Sequence, residues 1–452
     1  MPRRRALPEL ADTPPTPAAD ALRRLETTVS PYTGIVRGVD EVLAAPADLR
    51  LPSLFCQTGH VEALVGPPVA QLGAGSARTR ELARAAAVAE ALERYSACDA
   101  DAVEAVVAPA NALGGRAVAP ERFALFGARQ YATPGFPYAR FDADTPVAWV
   151  EGWPLPGGEP VLVPAQLVYL GWRRRPGEAL VVHPTSSGLS CRATFAEAVA
   201  SALFELLERD AFMIVWKARL SLPLLEWRGN RRLEEFERRF VRPTGLRVAA
   251  VDLSEVWDVP CVLGVARGRA AGEAPLGVGA AAAATVERAV EKALDEAIRV
   301  RSWAQALRAA EPAGASVPAP DAIAEFDEHV QYYAYDEHAA AADFLDASDE
   351  RGDVSAVAPL AGARARALVE QLCARLAARG ASAYAVDVTA PDVRAAGLRV
   401  ARVLAPELCA LDVEHAARQL GGRRLYEEPV RLGRRGGPLA EEDMNPDPHP
   451  FP

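Results

Sequence analysis

ATFAEAVASALFELLERDAFMIVW, residues 193–216, decides the architecture. Ala198, Val199, Ala200, Ala202, Leu203, Phe204, Leu206 and Leu207 surround it on nearly every side. A helix apolar around so much of its circumference is expected to be buried. Yet Glu197, Ser201, Glu205 and Glu208 are spaced four, four and three, which stands them in one line along three helical turns. Carboxylates left unpaired in a dry interior would cost several kcal/mol each.

The same signature occurs earlier, in ARTRELARAAAVAEALERYSACD at 77–99, an alanine-rich helix opened by Gly73 and Gly75. Ala86, Glu90, Glu93 and Arg94 there match Ser201, Glu205, Glu208 and Arg209, each pair offset by 115 (201 less 86, 205 less 90, 208 less 93, 209 less 94). An internal duplication explains this. One such line could be a solvated face braced by the pairs Glu90–Arg94 and Glu205–Arg209, each worth about 0.2–0.5 kcal/mol. Two matching lines on two apolar helices argue otherwise, because two arginines do not balance Glu90, Glu93, Glu197, Glu205 and Glu208. Something cationic is expected between the helices. Oxygen donors without paired His or Cys favour magnesium over zinc, and magnesium on carboxylates typically bridges to nucleotide phosphates. The pattern predicts an ATP site built on side chains.

Composition narrows the alternatives. The 452 residues, half of them hydrophobic, can bury a large core, and the net charge of −10 argues against non-specific nucleic-acid or membrane-surface binding. Lys217 and Lys292 are the two lysines, and neither lies in a GxxxxGK[ST] sequence, which excludes a P-loop. Cys56, Cys98, Cys191, Cys261, Cys373 and Cys409 are scattered without a CxxC pair and read as reduced core thiols. Without a long apolar run or a secretory signal, a cytoplasmic protein is expected.

Outward from the two helices, 147–170 reads as two strands joined at Pro156, Gly157 and Gly158, and further strands are expected at 246–252, 259–266, 382–389 and 397–404. Helices are expected after GVGAAAAA (277–284) and at 364–379, with a surface loop at 310–320. Helices and strands intersperse without strict βαβ alternation, so the fold class is α+β. Gly277, Gly279 and Ala282 give a GxGxxA match that reads as close packing rather than dinucleotide binding. His60, His183, His329, His338, His415 and His449 are isolated in sequence and read as structural, and Cys191 as a buried thiol. The chain closes on MNPDPHPFP, 444–452, with proline at every second position from 446. Such a stretch is a stiff rod of roughly 28 Å, at about 3.1 Å per residue, able to carry a carboxylate into a site.

Four segments together resemble the YcaO family, and within it the SagD-like azoline-forming members: SPYTGIV (30–36), AVAEALERYSA (87–97), SSGLSCRATFAEAVASALFELLERDAFMIVW (186–216) and NPDPHPFP (445–452). The resemblance implies a YcaO-type fold with duplicated acidic ATP- and magnesium-binding helices. It implies an N-terminal extension over 1–60, a YcaO domain over 61–443 and a proline-rich tail over 444–452. It places Mg2+ and ATP phosphates on Glu90, Glu93, Glu197, Glu205 and Glu208. Ser190, Ser201, Arg94 and Arg209 become nucleotide contacts, and the Pro452 carboxylate a catalytic group. Two departures stand out: Ala74 lies between Gly73 and Gly75 where relatives carry a lysine, and Ala86 stands where they carry a serine.

The implied activity is ATP-dependent cyclodehydration of Cys, Ser or Thr in a ribosomally made precursor peptide. The implied partners are that peptide, a leader-binding protein related to ubiquitin-activating enzymes, a flavin-dependent azoline dehydrogenase and a second copy of the chain, with no role for nucleic acid or membrane. Thioamide or amidine formation, or a non-catalytic scaffold motivated by Ala74 and Ala86, are the competing expectations.

Overall fold

The computed structural model describes residues 10–43, 48–59, 61, 72–101, 103–268, 273–311, 319–362 and 364–451. A short helix, α1 (Ala18–Glu26), leads into an antiparallel sheet of β1 (Val36–Glu41), β2 (Ser53–Thr58) and β3 (Leu72–Ser76) in that order. Helix α2 (Arg80–Cys98) lies across this sheet. Its alanines permit unusually close approach. A Cβ on Gly73 would sit 2.3 Å from the Ala87 carbonyl oxygen, and one on Gly75 2.2 Å from that of Ala83, so only glycine fits β3 at these two places.

A second sheet takes its centre from β5 (Val147–Pro154), flanked by β4 (Val106–Ala108) and β6 (Val161–Pro164). The hairpin expected at 147–170 is present. The sheet continues through β13 (Tyr384–Asp387) and β14 (Arg399–Leu404) to β7 (Leu189–Arg192), in the order β4-β5-β13-β14-β7. A third sheet runs β11-β10-β9-β8-β12, from β8 (Leu224–Glu226), β9 (Arg247–Asp252), β10 (Cys261–Arg267), β11 (Leu276–Ala282) and β12 (Arg351–Asp353). Every residue of β10 and β11 is buried, which explains their continuous apolar sequence. GVGAAA therefore forms a strand, and the helix that follows, α4 (Val286–Ala310), starts at Val286. Gly277 approaches α4 so closely that a Cβ would lie 2.2 Å from the Ala297 carbonyl oxygen, which is the packing role expected of it.

Helix α3 (Phe195–Lys217) runs through the largest core, against β7, β11, β14 and a further helix, α5 (Ala365–Ala378). Its last two turns, Ala211–Trp216, are at most 1% exposed. All six cysteines are free and buried, Cys191 among them. Part of the loop expected at 310–320, residues 312–318, lies outside the described residues, as does His60. Among the described residues no helix is long and apolar enough to cross a membrane.

The proline-rich tail is not a free rod. Met444, Asn445, His449 and Phe451 are each at most 4% exposed. Asn445 donates to the Trp216 carbonyl at 3.2 Å, Tyr333 Oη to the Pro448 carbonyl at 2.6 Å, and the Phe451 ring packs 4.9 Å from that of Phe212. The stiff chain lies against the core beside α3. Fixed proline φ angles lower the entropy lost on docking.

Candidate functional site

Each long helix begins in the same way. A strand ends, and a threonine hydroxyl caps the helix by accepting a backbone N–H: Leu82 on Thr79 at 3.3 Å, Glu197 on Thr194 at 3.2 Å and Arg288 on Thr285 at 3.4 Å. A glutamate follows each cap by eleven residues (90 less 79, 205 less 194, 296 less 285). The duplication seen in the sequence is thus a triplication, and Glu296 is its third member. Three residues further on stand Glu93, Glu208 and, in the third unit, Arg299.

The carboxylates tie the units into a ring. In α2, Glu90 accepts the Ala74 N–H of its own strand β3 at 2.7 Å, and Glu93 accepts the Cys191 N–H of the next unit's strand β7, also at 2.7 Å. In α3, Glu205 accepts the Gly188 N–H just before β7 at 3.3 Å, and Glu208 the Ala282 N–H of β11 at 3.0 Å. In α4, Glu296 accepts the Ala280 N–H of β11 at 2.9 Å, and Asp295 the Ser76 hydroxyl of β3 at 3.1 Å, which closes the circuit. Strand N–H groups that would otherwise be orphaned orient acids towards the junctions between helices.

Burial separates these acids. Glu90 and Glu205 keep about a third and a quarter of their side-chain surface and pair with Arg94 at 2.6 Å and Arg209 at 2.7 Å. The expectation that all five acids face a dry interior therefore fails for these two, which lie at its rim. Glu93 and Glu208 do sit in it. Desolvation pushes each carboxyl up to about 8, against the weaker pull of Arg192 on Glu93 and of Lys292 on Glu208. Desolvation raises Glu296 as well. Without a further cation Glu93 and Glu208 hold protons near neutrality.

The remaining expected residues are placed as follows. Glu197 is turned away from the ring: its carboxylate closes a capping box with the Thr194 N–H at 3.1 Å and takes the Thr16 N–H at 2.7 Å and hydroxyl at 3.1 Å. Ser201 accepts from Arg192 at 2.7 Å. Arg209 also bonds the Ser187 hydroxyl. The Ser190 Oγ and the Arg209 Nε are buried without a partner. Pro452 lies outside the described residues. Among the described residues no three His, Cys, Asp or Glu side chains are gathered at metal-binding distance.

The residues fit Mg2+ and a triphosphate in kind. Two buried carboxyls gain from a dication that replaces their protons, and the Ser190 hydroxyl and the Arg209 Nε are buried donors without a partner. Sequence reasoning missed Glu296, Asp295, Arg299 and Arg192. The recurrent threonine-to-glutamate spacing of eleven could have found the first. Arg192 carries no periodic signal, yet its guanidinium stands 3.8 Å from Glu93 while it holds Ser201, bridging α2 and α3.

Comparison with known proteins agrees with this arrangement. Against solved structures the chain is similar to a heterocyclase in complex with substrate and cofactor, at 22% identity, TM-score 0.81, over 98% of this chain and 59% of that one. It is similar to the heterocyclase TruD at 22% identity, TM-score 0.70, over 98% and 55%. It is also similar to YcaO from Methanopyrus kandleri bound with AMPPCP and Mg2+, at 22% identity, TM-score 0.60, over 89% and 94%. The chain spans little more than half the length of the first two. No curated protein matches the sequence. A family model described as YcaO cyclodehydratase, ATP- and Mg2+-binding, matches residues 74–409, and this span, holding all three capped helices, establishes that the chain belongs to the YcaO family.

Proposed function

We propose that this chain is an ATP-dependent cyclodehydratase that converts Cys, Ser or Thr of a ribosomally made precursor peptide to thiazoline or oxazoline. The observation that carries the reading is the pair Glu93 and Glu208, equivalent residues of two equivalent helices, each buried and each raised to about 8 by desolvation. Glu90, Glu93, Glu205 and Glu208 would hold Mg2+. Glu197 joins them once Thr16 withdraws. Arg94, Arg209, Ser190 and Ser201 would contact the nucleotide.

Bound Mg-ATP supplies a phosphoryl group to the amide oxygen, which can then depart as phosphate. This chain's residues position that oxygen, neutralise charge and exclude water, the main requirements of phosphoryl transfer. The docking of residues 444–451 against the core supports a role for the Pro452 carboxylate as the base that accepts the thiol or hydroxyl proton. The YcaO domain is assigned to 61–443 and the docking tail to 444–452. The partners proposed are the precursor peptide, a leader-binding protein related to ubiquitin-activating enzymes, a flavin-dependent azoline dehydrogenase and a second copy of this chain.

Ala74, exposed and without a side-chain charge, favours a second reading as a non-catalytic scaffold. One experiment tests both. Purified chain, leader-binding partner, precursor and Mg-ATP are combined and the peptide is weighed. Loss of one water per ring supports cyclodehydration, exchange of oxygen for sulfur a thioamide, and an unchanged mass the scaffold.

A further inference from the structure

A cleft of about 80 Å³ opens beside the ring of acids, reaching Ser187, Leu206 and Arg209 at its inner end. Its floor carries Arg402, 3% exposed, which gives one N–H to the Thr185 carbonyl at 2.7 Å and keeps its Nε buried without a partner. Arg209 contributes a second unpartnered Nε. Two buried guanidinium donors with nothing to bond form a seat for an oxygen acceptor. The outer end of the cleft is shared with a smaller cavity, and both are lined by His183 and Thr185.

His183 is held there. Its Nδ1 lies 3.5 Å from Glu414 Oε1, and the other oxygen of Glu414 accepts the Tyr138 hydroxyl at 2.7 Å. The Nε2 makes no hydrogen bond among the described residues, and the side chain is 45% exposed. An imidazole with one nitrogen beside a carboxylate and the other without a hydrogen-bond partner, on a residue that lines the cleft, has the arrangement of a general base.

The proposed reaction needs two such groups. The attacking S–H or O–H loses a proton as the new bond to the carbonyl carbon forms. The oxygen then takes the γ-phosphoryl group as ADP leaves. Finally the C–O bond breaks with its electrons going to phosphate, and the nitrogen forms C=N by losing its N–H proton. One tail carboxylate accounts for one proton.

We propose that the cleft receives the peptide residue being cyclised, and that His183, oriented by Glu414, accepts the second proton, that of the amide nitrogen. The inference rests on the cyclodehydratase reading. The charged and titratable groups lining the two cavities around it are Glu414, Tyr138, Asp412, Arg209, Arg402 and Cys409.

The test uses full-length chain, partner, precursor and Mg-ATP across pH 5.5–8.5, about a unit or more either side of the imidazole range. Wild-type chain that forms no azoline at any pH removes the cyclodehydratase reading and the inference with it. With azoline formed by the wild type, His183→Gln is expected to lower kcat by about a hundredfold, to leave Mg-ATP affinity within twofold, to flatten the low-pH limb of the rate profile, and to regain rate with added imidazole. Glu414→Gln is expected to lower kcat by a smaller factor, with Mg-ATP affinity unchanged. A His183→Gln chain with the wild-type rate and profile overturns the inference while leaving the function intact. So does a rate loss with an unchanged pH profile and no rescue, which marks a packing role.

Discussion

Glu93 on α2 accepts the backbone N–H of Cys191 on β7, at 2.7 Å, across the junction of two equivalent units. The contact fixes the carboxyl in a site that withholds water, and so it carries a proton up to about pH 8. Glu208 does the same at the next junction. Binding of Mg-ATP at pH 7 is therefore expected to release protons, approaching two per chain, and to tighten as pH rises towards 8. Calorimetric titrations in buffers of different ionisation enthalpy measure the number. A count of zero at pH 7 would show that the dication does not reach these acids.

The same two groups set a stability trend. Their folded pKa values lie above the ordinary 4.5, so between about 4.5 and 8 the folded chain holds protons that the unfolded chain has lost. Their contribution falls as pH rises through that window. Thermal melts of the ligand-free chain are expected to show lower Tm at pH 8 than at pH 6, and Mg-ATP to restore more of it at the higher pH.

Phe451, 2% exposed, fills space against Phe212 one turn beyond Glu208. Phe451→Ala is expected to cost about 3–5 kcal/mol in urea unfolding. Removal of residues 450–452 is expected to abolish cyclisation while largely sparing ATP binding. Normal turnover by the truncated chain would eliminate the tail from catalysis.

Asp210, with no exposed surface, accepts from Arg424 at 2.8 Å, from the Trp257 indole at 2.9 Å and from the Cys409 N–H at 2.8 Å. Arg424 also lies over the Trp257 ring, 4.0 Å from its centroid. Asp210→Asn takes from the buried Arg424 guanidinium its nearest counter-charge, leaving Glu428 at 3.5 Å, a loss of about 3 kcal/mol. Because Arg424 belongs to α6 (Arg423–Arg431), protease cleavage is expected to begin at that helix in the variant.

Ala74 gives its N–H to Glu90 and leaves its side chain exposed. Ala74→Lys adds a cation there without disturbing the Gly73 and Gly75 contacts with α2. Mg-ATP affinity is expected to rise about tenfold, the effect of one charge-assisted hydrogen bond. An unchanged Kd would mean that position 74 does not face the phosphates.

How much of this was legible in sequence differs by residue. The α+β class follows from helices and strands interspersed without strict βαβ alternation, and the burial of α3 from its apolar circumference, against which Glu208 stands out as a contradiction that local physics alone exposes. The third unit was hidden because Arg299 replaces the second glutamate, so a search for two acids three apart passes over it. Glu197 looks like its neighbours in sequence, yet it is claimed by Thr16, 181 positions away, which no periodicity announces. The tail's prolines imply stiffness. Their composition gave no sign that His449 and Phe451 would be enclosed, since that depends on the walls formed by α3 and residues 412–413.

Arg299 in the third unit has one last implication. Three identical wedges around an axis would offer a guest three indistinguishable ways to lie. With Arg299 for an acid and Val300 for the arginine that follows, one sector is unlike the other two, so an elongated anion placed among them would meet a lopsided field.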